Sequence, residues 1–170
     1  MTKYEKAILD MLSYAEGTLG ISNNGYDVMF TKRIIIGWTE DTDIVHGLSD
    51  WVIRANGISS SAAGRYQFLG DTWIGSWKGG DKTKKGQNVP LTKNNQDIAA
   101  LYQIKRKKGV TDDELNGMED FNTFKIVLDK IAPEWASIPK LNGDTYYKNQ
   151  PARHTHEDLY DVFMKALALY

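Results

Sequence analysis

Thr2-Lys3-Tyr4-Glu5-Lys6-Ala7-Ile8-Leu9-Asp10-Met11-Leu12-Ser13-Tyr14-Ala15-Glu16-Gly17-Thr18 is the stretch from which the chain is best read. Thr2 and Glu5 have capping-box spacing, and Tyr4, Ile8, Met11, Leu12 and Ala15 recur at helical intervals until Gly17 breaks the pattern. The spacing predicts a first helix whose buried stripe ends at Glu16. Ile8 and Leu12 precede Glu16 by two turns and one turn, so its carboxyl projects along the face they bury. Partial dehydration and the negative end of the helix dipole both raise the pKa of such a group, which suits it to donate a proton near neutral pH.

Downstream of the Ser22-Asn23-Asn24-Gly25 turn, Val28–Phe30 and Arg33–Trp38 are short and β-branched or aromatic, and read as a small hairpin ended by Glu40-Asp41-Thr42-Asp43. Ile44 to Ile53 suggests a short helix weakened by Gly47. Phe68, Leu69, Trp73 and Ile74 suggest another, capped near Asp71 and ended by Trp77. Residues 78–90, rich in Gly and Lys, read as a surface loop. Ile98, Leu101 and Ile104 define a helix with Asp97 in its first turn, four cations in its last and Gly109 beyond. Thr111 with Glu114 opens a short helix; Phe124, Val127, Leu128 and Ile131 form a further stripe closed by Pro133; Thr155 with Asp158 starts the last helix, which buries Leu159, Val162, Phe163 and Ala166. The expectation is one domain, residues 1–170, of α+β class: mainly helical with a small β hairpin.

Composition narrows the chemistry. With 170 residues and 41% hydrophobic content the chain can bury a core without staples. It has no cysteine, which excludes disulfides, a thiolate nucleophile and Cys-based zinc sites, and fits synthesis in a reducing compartment. His154 and His156 do not share a helix face and His46 stands alone, so no metal site is expected. A net charge of -1 gives no pull toward nucleic acid. Lys82-Lys84-Lys85 reads as a solvated loop and Lys105-Arg106-Lys107-Lys108 as a basic helix end. The N-terminus lacks the apolar core of a signal peptide, and no stretch reaches the length of a membrane span.

Ala15-Glu16-Gly17-Thr18, Asn24-Gly25-Tyr26-Asp27-Val28, Ala63-Gly64-Arg65-Tyr66-Gln67, Gln96-Asp97 with Ala100-Leu101-Tyr102-Gln103-Ile104, and Trp135-Ala136-Ser137-Ile138-Pro139 occur in an order that resembles the phage lambda-type endolysins. Short matches in order, each at a compatible element boundary, outweigh any single tetrapeptide. The resemblance implies a lysozyme-like fold and a lytic transglycosylase. Such an enzyme cleaves the β-1,4 bond between N-acetylmuramic acid and N-acetylglucosamine in bacterial peptidoglycan and forms 1,6-anhydro ends without metal or organic cofactor. It implies Glu16 as the catalytic acid and Arg65, Tyr66 and Gln67 as a cleft wall, with Gln67 bonding sugar amide or hydroxyl groups. Tyr146 and Tyr147 resemble a second wall, and Trp135 and Ser137 come over as substrate-binding positions. Tyr66 reads equally as core, and Trp135 as sugar platform or core. The expected partner is the glycan strand, met by a monomer that inserts in no membrane. It would be made in the cytoplasm and reach the wall through a membrane lesion or inside a virion. Residues 38–57, with Asp43 and His46, and the 78–90 loop depart from the family pattern.

Glycoside hydrolysis ordinarily needs a second carboxylate. At the spacings where T4-type phage lysozymes place an aspartate and a threonine after the acid, this chain has Gly25 and Thr31, with Asp27 close by. Without a partner, Glu16 must serve as acid and then as base toward the muramic C6 hydroxyl. The alternatives are a hydrolytic muramidase that uses Glu40, Asp41, Asp43 or Asp27, and a glycan-binding virion module that does not cut. Glu40, Asp41 and Asp43 read otherwise as a solvated acidic turn, and Asp27 as a residue that ties a turn together.

Overall fold

The computed structural model describes residues 1–40, 44–46, 57, 59–77, 89–148 and 153–170. The chain divides into two compact units, one formed by Met1–Gly17 with Leu101–Tyr170 and the other by Thr18–Ala100.

The first unit is helical. Helix α1, Lys3–Ala15, starts at the Thr2/Glu5 capping box and buries Ile8, Met11 and Leu12 completely. Glu16 is its C-cap, and Gly17 takes the left-handed φ of +71° that reverses the chain with no side-chain penalty. Late in the chain come α4, Asp112–Asn116, α5, Phe121–Ile131, and α6, His156–Leu167. The boxes at Thr111/Glu114 and Thr155/Asp158 form as read, and Asp120 caps α5. Helix α1 packs on α6, which also meets α5. Phe124, Val127, Leu128, Ile131, Leu159 and Phe163 are fully buried, with Phe124 and Phe163 ring centroids 5.6 Å apart. Val162 is only half-buried.

In the second unit, β1, Val28–Met29, pairs antiparallel with β2, Arg33–Ile34, through a 3-10 turn at Phe30–Lys32. The hairpin exists, but its strands are shorter than the apolar runs suggest: Lys32 turns the chain at φ +62°, and Ile36 and Trp38 lie beyond the pairing. Helix α2, Gly70–Gly75, has Leu69 at its cap with no side-chain bond. Asp71 sits inside the first turn instead, and the helix stops before Trp77. Helix α3, Lys93–Tyr102, begins a turn earlier than its apolar residues indicate; its end from Leu101 and the π-helical turn that continues it, Gln103–Lys107, belong to the first unit. Asp97 is therefore in the second turn, and Ile98 is 47% exposed while Gln96 is fully buried. The inversion is physical: a glutamine that satisfies its amide tolerates burial better than the pattern of apolar residues alone allows.

Val45 forms an isolated antiparallel bridge with Pro90, so residues 44–46 are extended rather than helical. The rest of the Ile44–Ile53 helix, Asp41, Asp43, the Lys82-Lys84-Lys85 cluster and most of the 78–90 loop lie outside the described residues. In the basic run after α3, Lys105 pairs with Glu5 at 2.7 Å and Asp112 at 2.6 Å, and Lys108 with Glu134 at 3.2 Å. Those cations hold helices together within the first unit.

Candidate active site

Glu16 is half-buried where α1 ends. Its backbone N–H donates to the Leu12 carbonyl at 2.9 Å, so the last helical bond fixes the carbon to which the carboxyl is attached. After α5, Pro133 removes a helix donor and the chain turns, with the Trp135 and Ile138 amides closing the loop. That turn places Ser137, itself buried, so that its hydroxyl donates to Glu16 Oε1 at 2.5 Å. Residues 121 positions apart thus meet at one carboxyl group.

Burial raises the Glu16 pKa from 4.5 to about 6, against the opposing pull of the Ser137 hydroxyl and the Arg153 charge. The rise has the direction expected of a carboxyl at a helix end, and desolvation is its dominant cause. No sequence signal singles out Arg153, since it stands in a loop ahead of the Thr155 cap. It is located by its neighbour: the His154 ring contacts Tyr14, in the last turn of α1, at 5.0 Å. Arg153 also lines an open cavity of about 300 Å³ at the start of α6, shared with Gly143, His154 and His156.

In the second unit the Gly64-Arg65-Tyr66-Gln67 segment is built around a buried amide. Gln96 Oε1 accepts from the Arg65 N–H at 2.8 Å, and its Nε2 donates to the carbonyls of Tyr26 at 2.9 Å and Leu91 at 3.0 Å. Gly64, at φ +79°, leaves the room that Gln96 fills. Tyr66 is fully buried and donates to Asp97 Oδ1 at 2.6 Å; Tyr26 donates to the same oxygen at 2.9 Å and accepts from Arg65 Nη1 at 3.0 Å. Burial and the Asp97 charge push the phenols of Tyr66 and Tyr26 up. Arg65 and Tyr66 therefore commit their side chains to this network instead of presenting a wall of polar groups. Gln67, at φ +48°, is half-buried, and its Nε2 donates to the carbonyls of Val28 at 3.1 Å and Gly64 at 2.9 Å. Its amide nitrogen is committed to the backbone, so the oxygen is the atom left for a ligand.

Tyr146 and Tyr147 are 53% and 40% exposed, stacked edge to face at 5.3 Å, and Tyr147 is steadied by its hydroxyl on the Pro133 carbonyl at 2.8 Å. Trp135, 3% exposed, and Trp73, fully buried, pack as core; a ring so enclosed offers no platform to a sugar. Among the other carboxylates, Asp27 is buried with Oδ2 accepting from Ser22 at 2.8 Å and Asn23 at 2.7 Å, tying the turn before β1. Glu40 is ion-paired with Lys93.

A mainly helical α+β architecture with a short hairpin, and a dehydrated glutamic acid at the end of its first helix, define a lysozyme-like protein. The solved lysozyme from bacteriophage lambda has the same fold, with a TM-score of 0.62 at 24% identity over 98% of this chain and 95% of that one. The endolysin family model matches residues 6–169, and the chain belongs to the endolysin family of phage enzymes that degrade the bacterial cell wall. It is 31% identical to the endolysin of Escherichia phage lambda over 139 residues, 79% of this chain and 76% of that protein. It is also 31% identical to the endolysin of Escherichia phage P2 over 168 residues, 94% of this chain and 90% of the relative. Among the described residues, no helix is long and apolar enough to cross a membrane.

Proposed function

We propose that the chain is a lytic transglycosylase that cleaves the β-1,4 bond between N-acetylmuramic acid and N-acetylglucosamine, with Glu16 as acid and then base. The observation that carries this reading is the environment of one carboxyl group. Its pKa of about 6 lies where both protonation states are accessible, and among the described residues the charge acting on it is the Arg153 cation, with no carboxylate.

In the first step the protonated Glu16 gives its proton to the glycosidic oxygen as the bond to C1 breaks. The oxocarbenium-like centre needs a stabilising group, and the 2-acetamido oxygen of the muramic residue supplies it in the manner of substrate-assisted glycosidases. The Ser137 hydroxyl and Arg153 then stabilise the carboxylate that remains. That carboxylate removes the proton of the C6 hydroxyl as its oxygen closes on C1, which restores the acid and leaves an anhydro end. Tyr146 and Tyr147 offer exposed rings for sugar stacking, and Gln67 Oε1 accepts from a sugar N–H or O–H. The family match runs through both compact units, and we read them as one catalytic domain that acts as a monomer. Delivery to the wall is through a membrane lesion or within a virion.

Mass spectrometry of fragments released from purified peptidoglycan tests the reaction. Ends one water lighter than hydrolysed ends are expected, and Glu16→Gln abolishes their release. Hydrolysed ends instead would assign a muramidase, with the second carboxylate sought at Asp41 or Asp43. Sedimentation with insoluble wall and no released fragments would assign a binding module.

A further inference from the structure

The hairpin of the second unit has no part in this proton chemistry, yet its surface is unusual. Val28 is buried, whereas Met29, Phe30, Ile34 and Ile36 are 40%, 41%, 45% and 95% exposed. Single exposed apolar residues are ordinary; four within one short turn of chain are not. From Val28 to Thr39 the only charged residues are Lys32 and Arg33, both exposed, and neither forms an ion pair with a described residue.

The backbone beneath these side chains is already ordered. Met29 bridges Ala63, the Phe30 N–H donates to the Ala62 carbonyl at 2.8 Å, and the Ile35 N–H donates to the Asp27 carbonyl at 2.7 Å. Apolar groups held out on a fixed frame lose little freedom when they meet a partner.

We propose that this hairpin is a peripheral docking element for an anionic phospholipid surface. Phe30, Ile34 and Ile36 enter the boundary between headgroups and acyl chains, and Lys32 and Arg33 face lipid phosphates. Charge complementarity names the partner: two cations, no carboxylate in the run, and aliphatic side chains between them. A glycan would call for side-chain amides or carboxylates beside an exposed ring. From Val28 to Thr39 there is no amide or carboxylate side chain, and Trp38 is buried with its Nε1 donating to the Leu91 carbonyl at 2.9 Å. The docking is independent of the cleavage reaction proposed above.

Co-sedimentation of the intact protein with phosphatidylglycerol-containing vesicles and with pure phosphatidylcholine vesicles tests it. Binding to the anionic vesicles at least tenfold tighter than to the neutral ones is expected. Lys32→Gln with Arg33→Gln lowers it about twenty-fivefold, from roughly fivefold per cation at a charged surface. Phe30→Ser with Ile36→Ser lowers it about tenfold or more, without shifting the thermal midpoint. Glu16→Gln binds vesicles like the unaltered protein, which separates docking from catalysis. The proposal is overturned by no vesicle binding, by equal binding to neutral vesicles, or by unchanged binding in both double variants. It is also overturned if the Phe30/Ile36 variant loses cleavage of soluble, vesicle-free glycan fragments, which gives the face to the glycan, or if that variant abolishes self-association, which gives it to a second copy.

Discussion

Glu16→Gln should stabilise the protein in a pH-dependent way while removing its activity. The native carboxyl holds its proton to about pH 6, and the unfolded chain releases it near 4.5. Between those values the native state binds more protons, so folding stability is highest below about 4.5 and falls as pH rises through about 6. The gap corresponds to about 2 kcal/mol, reduced to about 1–2 kcal/mol because the side chain is half-buried and water reaches part of it. Glutamine keeps an oxygen to accept from Ser137 but does not titrate. The stability of the Glu16→Gln variant relative to the native protein should therefore rise by about 1–2 kcal/mol from about pH 4 to about pH 7. Urea unfolding of both proteins across that range measures it, and comparing the difference between pH values cancels any constant cost of the amide. A flat difference would refute the dehydrated-acid reasoning. So would a native protein that gains stability relative to the variant as pH rises, the behaviour of a salt-bridged carboxylate.

Ser137→Ala removes a hydroxyl that favours the ionised form of Glu16, so the pKa climbs further. Cleavage needs the protonated acid, and the alkaline limb of the pH–rate profile should move up by about one pH unit, as expected for losing a hydrogen bond to a charged group; an unmoved limb would refute the link. Gly64→Ala should destabilise the protein by about 2–4 kcal/mol, because a Cβ at φ +79° both strains the backbone and collides with the Gln96 side chain. Thermal unfolding of that variant measures the loss, and an unchanged midpoint would show that Gln96 does not clamp the segment.

Local signals were the ones that proved readable. The Thr2, Thr111 and Thr155 caps, the stripe from Ile8 to Leu12, and the break at Gly17 depend on residues within about a turn of one another, so the sequence by itself determined α1, α4, α5 and α6 and put Glu16 at a helix end. Motif order also pointed to the family, and the family match extends over residues 6–169. Where distant partners offset the burial of a polar side chain, the pattern misled: Gln96 is buried and Ile98 exposed because backbone groups of Tyr26, Arg65 and Leu91, brought to it by the fold, satisfy its amide. The same physics hid much of the candidate site. Nothing in the spacing of the chain says that Ser137 and Arg153 act on Glu16, or that Arg65 and Tyr66 turn inward to Tyr26 and Asp97. Helix caps are settled by neighbours along the chain, whereas a carboxyl's proton affinity is settled by whatever the fold packs around it, and only the tertiary structure decided that.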